Sequence, residues 1–233
     1  MKIMAPCVLC AKESMEKAKR GESYQLPILD GELDDTGLIY ARCPWGHDSV
    51  VTTMHPKHEI LFNSGCKALI DGYASESVAS VASALERAYE FFLRVAFRKS
   101  GLNNEPFEVV WKMVSSQSER QYGAFLFIFL HLTGNAFTEP KIVREFRNKV
   151  IHKGIIVKQS ETREYVNAVF FLLRSTIKAL KERCAKEYSD EINDLHEKQM
   201  ALVNGRSCIA YRGLSVDSFT KDSLSDYLAE LYK

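Results

Sequence analysis

The chain has little glycine and proline, almost no net charge and no long apolar run. Its 233 residues include 12 Gly and 6 Pro, too few for a collagen-like or low-complexity chain. Lys and Arg (31) nearly balance Asp and Glu (30), so no overall basic field attracts nucleic acid, and any such argument must be local. The longest apolar run, residues 124–130, is far shorter than the roughly 20 residues that cross a membrane, so no membrane partner is expected.

The N-terminal segment also lacks the apolar core of a secretion signal. Residues 1–14 contain lysine but no apolar stretch of the length that such a signal needs. Six cysteines without a secretion signal favour a reducing compartment, where closely spaced cysteines bind metal more often than they form disulfides. We therefore expect a cytoplasmic protein.

The first 57 residues differ from the rest of the chain in their pattern of apolar and β-favouring residues. They contain β-favouring stretches at 24–29, 38–42 and 49–54, they show no helical periodicity, and Pro56 marks a boundary. Within them, Cys7 and Cys10 form a CxxC pair, and Cys43 and His47 form a CxxxH pair. Two such pairs, each presented by a tight turn and joined by a β-hairpin, predict a zinc ribbon over residues 1–57.

The predicted zinc site is closed and structural. Thiolates and imidazole are the soft and borderline donors that zinc prefers, and no further group indicates a catalytic position. The fourth ligand is open, because His55 or His58 could replace His47. Trp45, inside the second pair, is expected to cover the metal. A domain this small cannot build a large core, so the metal should supply much of its folding free energy.

Beyond Pro56 the pattern is helical. An apolar stripe from Val78 to Val95 predicts a long helix that ends near Arg98, with Gly101 and Asn103 as stop signals. Ser116 and Glu119 have capping-box spacing, and the helix that they open runs to Gly134. Its central part is apolar all round, which places it in the middle of a bundle. The other predicted helices cover residues 58–71, 138–154 and 160–188.

The fold class is therefore mainly α. A helical bundle over residues 58–189 follows the small β zinc ribbon. A C-terminal extension over residues 190–233, with helices near 191–203 and 223–231, is expected to pack on the bundle.

Residues 138–158 form a local basic segment, with six basic and two acidic residues. This excess predicts contacts with a phosphate backbone, for which Arg144, Lys149 and Lys153 are the candidates. A solvated helix face is the alternative interpretation.

The same segment contains Arg147-Asn148-Lys149-Val150-Ile151-His152. At about 100° per residue, Asn148 and His152 lie on the same side of an α-helix, whereas Arg147 lies about 140° from His152. One copy therefore does not set both side chains around a single phosphate, but two copies meeting across a dimer would line a shared cleft. His exchanges protons near neutral pH, and Arg offers a permanent donor fork, which suffices for metal-free RNA cleavage.

This hexapeptide, with the preceding helix that contains Ala84–Phe92, resembles the HEPN superfamily of small helical bundles over residues 60–188. The resemblance implies a homodimer with facing motifs and a metal-independent endoribonuclease of toxin or antiviral-defence systems, in which Arg147 and His152 are catalytic and Asn148 supports them. Glu86 is then a candidate polar partner of the motif. A protein inhibitor or activator could control such an enzyme. Some members instead bind RNA, nucleotides or protein partners without chemistry, and this is the alternative function.

Overall fold

The computed structural model describes residues 2–23, 28–53, 55–102, 104–204, 208–210 and 221–231. The chain is mainly α-helical with a small β region near the N-terminus, and this prediction is confirmed. It divides into two compact units. The first, the metal unit, contains residues 2–55 with 192–204 and 208–210. The second, the bundle unit, contains residues 56–191 with 221–231.

The C-terminal residues 190–233 are expected to form one extension that packs on the bundle, but those that the structure describes are shared between the two units. Residues 192–204 and 208–210 belong to the metal unit, because Val203 packs against Leu38 and Val50 and a short strand pairs with the sheet. Of the described residues in this stretch, residues 190–191 and 221–231 belong to the bundle unit.

The metal unit is built on one sheet in the order β1-β2-β3-β4-β5. The first four strands pair antiparallel, and β5 pairs parallel with β4. Their bounds are β1 Lys2–Pro6, β2 Ile28–Leu33, β3 Leu38–Arg42, β4 Asp48–Thr52 and β5 Cys208–Ala210. The prediction for residues 38–42 matches β3, whereas residues 24–27 and Met54 of the other two predicted stretches lie outside the described residues.

A helix, α1 Val8–Lys19, lies between β1 and β2, so the expectation of no helix in this region is wrong. The helix buries only Val8, Cys10 and Ser14. Since these residues do not form an apolar stripe, the periodicity that identifies an amphipathic helix is missing from the sequence.

The bundle unit is organised around one long helix, α3 Ala74–Lys99, which packs against α2, α5 and α7. Gly101, with φ +71°, follows its end, while Asn103 lies outside the described residues. The remaining bounds are α2 Lys57–Ile70, α4 Asn104–Val114, α5 Ser118–Thr133, α6 Lys141–Arg147, a π-helical turn Asn148–His152, α7 Gln159–Arg183, α8 Ala185–Leu202 and α9 Leu224–Leu231. Helix α8 continues from the bundle unit into the metal unit after Glu191.

Helix α5 is not central, contrary to the prediction. It buries a single stripe of Gln121, Phe125 and Phe129, and Phe127 is 77% exposed. It begins at Ser118 with no side-chain cap, so the expected capping box of Ser116 and Glu119 is absent from it. Gly134, which the sequence offers as its stop signal, ends it in the left-handed conformation at φ +74°.

Aromatic side chains fill the core of the bundle unit. Phe125 lies 4.2 Å from Tyr89, 5.0 Å from Phe92 and 4.8 Å from Phe137, measured between ring centroids. These contacts join α3, α5 and the segment before α6. They therefore hold in place the start of the element that carries the hexapeptide 147–152, called the RNxxxH motif from here on. Among the helices that the structure describes, none combines the length and the apolar character needed to cross a membrane.

Candidate functional site

Three thiols and one imidazole converge in the metal unit. Cys7 directly precedes α1 and Cys10 lies in its first turn, so this pair starts a helix and does not occupy the expected tight turn. Cys43 and His47 close the turn between β3 and β4, where the Cys43 amide donates to the His47 carbonyl at 2.9 Å and Gly46 adopts φ +84°. The four ligand atoms lie within 4.8 Å of one another and can hold one metal ion.

The spacing of the donor atoms fits a tetrahedral ion. Metal–sulfur bonds of about 2.3 Å at tetrahedral vertices place two sulfurs about 3.8 Å apart. Cys10 Sγ lies 3.9 Å from Cys43 Sγ and 3.3 Å from His47 Nδ1, and Cys7 Sγ lies 3.9 Å from the same nitrogen. Four protein donors complete a tetrahedral shell, as in structural metal centres.

A serine hydroxyl supports the first thiolate. Ser49, buried on β4, donates to Cys7 Sγ at 3.4 Å. Burial raises the pKa of Cys7, but hydrogen bonds from the Cys10 amide and from Ser49 outweigh it and lower this pKa to about 6. Burial and the neighbouring thiols Cys7 and Cys43 raise the pKa of Cys10. Cys7 therefore ionises readily, whereas Cys10 needs a nearby cation to ionise.

The structure settles which histidine joins the thiols. His47 belongs to the group, whereas His58 is fully buried in α2 of the bundle unit, where its ring lies 5.0 Å from Phe91. His55 is not part of the group of described residues. Trp45, which is expected to cover the metal, is 63% exposed.

The RNxxxH motif lies at the junction of α6 and the π-helical turn. The Lys153 amide donates to the carbonyl of Asn148, five residues earlier, at 3.3 Å. A π turn contains more residues than an α-helical turn, so residues five apart come closer to the same side. Arg147 and His152 have this spacing, and the π turn therefore reduces the angle of about 140° that an α-helix would put between them.

Arg147 has a fixed partner on α3. Its Nη2 donates to Glu86 Oε1 at 2.8 Å, and about a quarter of each side chain is exposed (27% and 26%). Glu86 is the partner that the sequence suggested. The Arg147 Nε is buried without a hydrogen-bond partner among the residues that the structure describes.

Arg147 and Asn148 line a cleft of about 380 Å³ on the bundle unit. Around them lie Glu86, Tyr122 and Tyr165, from α3, α5 and α7. His152 is exposed and is not among the described residues that line this cleft. The structure thus brings Arg147, Asn148 and Glu86 together and leaves His152 on the surface at the far end of the π turn.

Acidic partners neutralise much of the basic segment. Arg144 pairs with Glu139 at 3.1 Å and lies over the ring of Tyr122 at 5.3 Å, and Lys149 pairs with Glu161 at 3.5 Å. Lys153 is exposed at the end of the π turn. The local charge excess read from residues 138–158 is therefore smaller in the fold, because Glu86 and Glu161 lie outside that segment.

Several residues of the two sites were not anticipated. Ser49 could have been suspected from the sequence, because it lies two residues after the ligand His47, and side chains two apart on a strand point to the same face. Tyr122, Glu119 and Tyr165 line the cleft, but helical spacing alone gives no reason to select them over the neighbouring positions of α5 and α7.

In comparisons with known proteins, no protein-family model, no curated protein and no solved structure matches the chain. The geometry of the two sites therefore carries the functional argument.

Proposed function

We propose that this chain is a metal-independent endoribonuclease that acts as a homodimer, with the RNxxxH motifs of two copies facing each other. This activity, in a toxin or antiviral-defence effector, is what the resemblance to the HEPN superfamily implies. The observation that carries the proposal is the π-helical turn at Asn148–His152. Such turns are rare and frequently occur at functional sites, and this one covers the motif from Asn148 to His152.

The proposed reaction uses the ribose 2′-hydroxyl of RNA as the nucleophile. His152 of one copy removes the hydroxyl proton, the 2′-oxygen attacks the adjacent phosphorus, and the bond from phosphorus to the 5′-oxygen breaks. The second copy's His152 protonates the leaving 5′-oxygen. The products are a 2′,3′-cyclic phosphate and a 5′-hydroxyl end. Arg147 stabilises the charge that develops on the phosphate oxygens, and Asn148 orients the substrate or the imidazole.

Exposed apolar side chains beside the motif support the dimer. Ile151, Ile155 and Ile156 flank His152 in the chain and are 41%, 40% and 94% exposed. Apolar side chains clustered on a surface are typical of interfaces between proteins. A second copy that covers them would bring two motifs together, and Lys153, Lys149 and Arg144 would then contact RNA at the rim.

The metal centre has a structural role in this proposal. Zinc is the metal that we assign to Cys7, Cys10, Cys43 and His47, because three thiols and an imidazole with tetrahedral spacing are its preferred ligands. Zinc stabilises the fold of the metal unit, and this unit engages RNA or a protein inhibitor or activator. A thiol-rich site of this kind also favours a reducing, cytoplasmic compartment.

The deciding experiment is incubation of wild type and His152→Ala with mixed cellular RNA in EDTA. We expect wild type to cleave RNA and leave 2′,3′-cyclic phosphate ends, and His152→Ala to lose about a hundredfold or more of that activity. His131→Ala is the matched control, because His131 is exposed on α5 and does not line the cleft. Cleavage by His152→Ala at the wild-type rate would contradict the proposal.

A second candidate function is a binding module without chemistry, for RNA, a nucleotide or a protein partner. The ion pairs of Arg147 with Glu86 and of Arg144 with Glu139 favour it, since both arginines already have carboxylate partners. Growth after induction separates the two candidates in cells. The nuclease predicts toxicity that His152→Ala abolishes, whereas the binding module predicts equal growth with both.

A further inference from the structure

The cleft beside the motif contains polar atoms that neither the fold nor the proposed reaction uses. Tyr165 lines it from α7 and is 0% exposed, yet its hydroxyl has no hydrogen-bond partner among the residues that the structure describes. Arg147 Nε is a second buried atom of this kind in the same lining. Buried polar atoms are almost always paired, so two that lie together at a cleft indicate a group that binds there.

The walls of the cleft are suited to a flat ring. Leu85, Leu126 and Val143 supply apolar surface, and Tyr122 supplies an aromatic ring. Tyr89 is almost fully buried and donates its hydroxyl to Glu139 at 3.4 Å, which holds the back wall in place. Apolar and aromatic walls with a few placed polar groups are typical of pockets for planar ligands.

The charges of the lining favour an uncharged group inside the cleft, next to the phosphate that Arg147 contacts in the proposed reaction. Among the described lining residues, three glutamates (Glu86, Glu119 and Glu139) face two arginines (Arg144 and Arg147). Glu86 and Glu139 already accept hydrogen bonds from these arginines. Glu119 is exposed in the first turn of α5 and offers carboxylate oxygens, which accept hydrogen bonds and do not donate them.

We propose that the cleft binds an unpaired nucleobase that carries an exocyclic amine. The amine donates to the Glu119 carboxylate, and a ring acceptor receives a hydrogen bond from the Tyr165 hydroxyl. Single-stranded RNA is read in this way, through hydrogen bonds to base edges beside stacked rings. The proposal deepens the proposed function, because Arg147 and Asn148 belong both to the cleft and to the motif. The cleft would then select the base next to the cleaved phosphate.

Matched nucleosides test the amine directly. Cytidine and uridine differ at the C4 amine and at N3, and guanosine differs from inosine by the amine alone. We expect calorimetry on the full chain to show at least about tenfold tighter binding of the amine-bearing member in one of these pairs. Equal affinity within both pairs, no binding of any nucleoside, or preferential binding of a simple polyamine would each overturn the proposal.

Two conservative variants assign the roles of the side chains. Glu119→Gln should reduce the preference for the amine, because the amide keeps one acceptor oxygen but loses the charge and gains donors, and Tyr165→Phe should weaken binding about tenfold while leaving the fold intact. Glu164→Gln and Tyr73→Phe are the controls, because both residues are exposed and neither lines the cleft. Binding unchanged in both test variants would overturn the assignment.

These outcomes are distinguishable from those of the nuclease test. Nucleoside binding requires no cleavage, so amine-selective binding by a chain that does not cut RNA supports the base pocket and contradicts the nuclease. Conversely, cleavage that depends on His152 but shows no preference among the four bases supports the nuclease and overturns the base pocket.

Discussion

The two units of the chain are stabilised by different chemistry. The metal unit contains two small described clusters, Cys7 with Cys10 and Cys43, and Leu38 with Val50 and Val203, and neither includes an aromatic side chain. The bundle unit buries a continuous set of rings around Phe125 and a second set around Phe170. The Cys/His cluster of the first unit can hold a metal ion that would take the place of a large apolar core, whereas aromatic packing fills the core of the second.

Their candidate sites differ in the same way. In the metal unit the four ligand atoms lie close together, and the function that they can share is the binding of one metal ion. In the bundle unit each charged residue of the motif already serves the fold, as Arg147 does through Glu86. Convergence of donor atoms is therefore strong evidence for the metal centre, whereas the motif cleft has to be tested by its chemistry.

Loss of the metal should have the largest effect. Structural zinc contributes on the order of 10 kcal/mol to small metal-binding folds, so Cys43→Ser should lose stoichiometric zinc and expose the metal unit to protease. Chelation should do the same in wild type while the bundle keeps its helical circular dichroism.

Cys208→Ser is the matched control, because Cys208 belongs to the metal unit but not to the ligand group. Full zinc content in Cys43→Ser would contradict the assignment. Loss of all helical signal on chelation would contradict the independence of the two units.

Truncation of a core ring should have the next largest effect, and it tests the position of α5. Phe125 is fully buried and Phe127 is 77% exposed, although both lie in the same apolar run. Phe125→Ala should lower the free energy of unfolding of the bundle by about 3–5 kcal/mol, and Phe127→Ala by less than about 0.5 kcal/mol.

The tryptophans provide a probe of the bundle alone. The chain has two, Trp45 in the metal unit and buried Trp111 in the bundle unit, so a Trp45→Phe background assigns the fluorescence to Trp111. Equal losses from Phe125→Ala and Phe127→Ala would show that α5 is covered on both faces.

The ion pair of the motif should have an intermediate effect. Arg147 and Glu86 are both about three-quarters buried, and Glu86→Ala would leave the guanidinium without its acceptor. We expect a loss of about 1–3 kcal/mol in denaturant unfolding. Asp190→Ala, which breaks the exposed pair with Lys186, should cost at most about 1 kcal/mol. Similar small losses in both variants would mean that the Arg147 pair contributes no more than a surface pair.

The sequence predicts the metal centre better than the cleft for a physical reason. Each ligand pair is local, Cys7 with Cys10 and Cys43 with His47, so its spacing is visible in the chain. The cleft depends on partners that are distant in sequence: Glu86 and Arg147 are 61 residues apart, and Tyr89 and Glu139 are 50 apart. Only the packing of α3 against α6 and α7 brings such residues together.

The same contrast applies to the fold. The long stripe of α3 and the glycine after α5 identify these elements, because periodicity and a left-handed stop are local signals. Helix α1 has no apolar stripe, α4 was not anticipated at all, and α5 has apolar residues on its exposed face as well as its buried face. The π turn at Asn148–His152 cannot be recognised from the sequence, because it differs from an α-helical turn in the spacing of its backbone hydrogen bonds and requires no particular residue types.

The smallest effect is expected at alkaline pH, where it comes from two buried tyrosines of the bundle unit. Burial raises the pKa of Tyr165 and of Tyr89 above the ordinary value of 10.0, and nearby Glu139 adds to it in both cases. The folded bundle keeps these phenols protonated where the unfolded chain ionises them. Stability is therefore complete below about pH 10 and falls above it by about 1.4 kcal/mol per pH unit for each such tyrosine.

Tyr165→Phe removes one of these groups and should reduce the slope of bundle stability against pH by that amount, measured by urea unfolding between pH 9 and about pH 11. At neutral pH the same variant should be nearly as stable as wild type, because the hydroxyl that it loses has no partner among the described residues. Tyr73→Phe, at an exposed position, should leave the slope unchanged. A neutral-pH loss of several kcal/mol would instead show that the Tyr165 hydroxyl stabilises the fold. The cleft would then resemble the ion pair of Arg147 with Glu86, whose polar groups already contribute to stability, and its unpaired hydroxyl would no longer indicate a ligand.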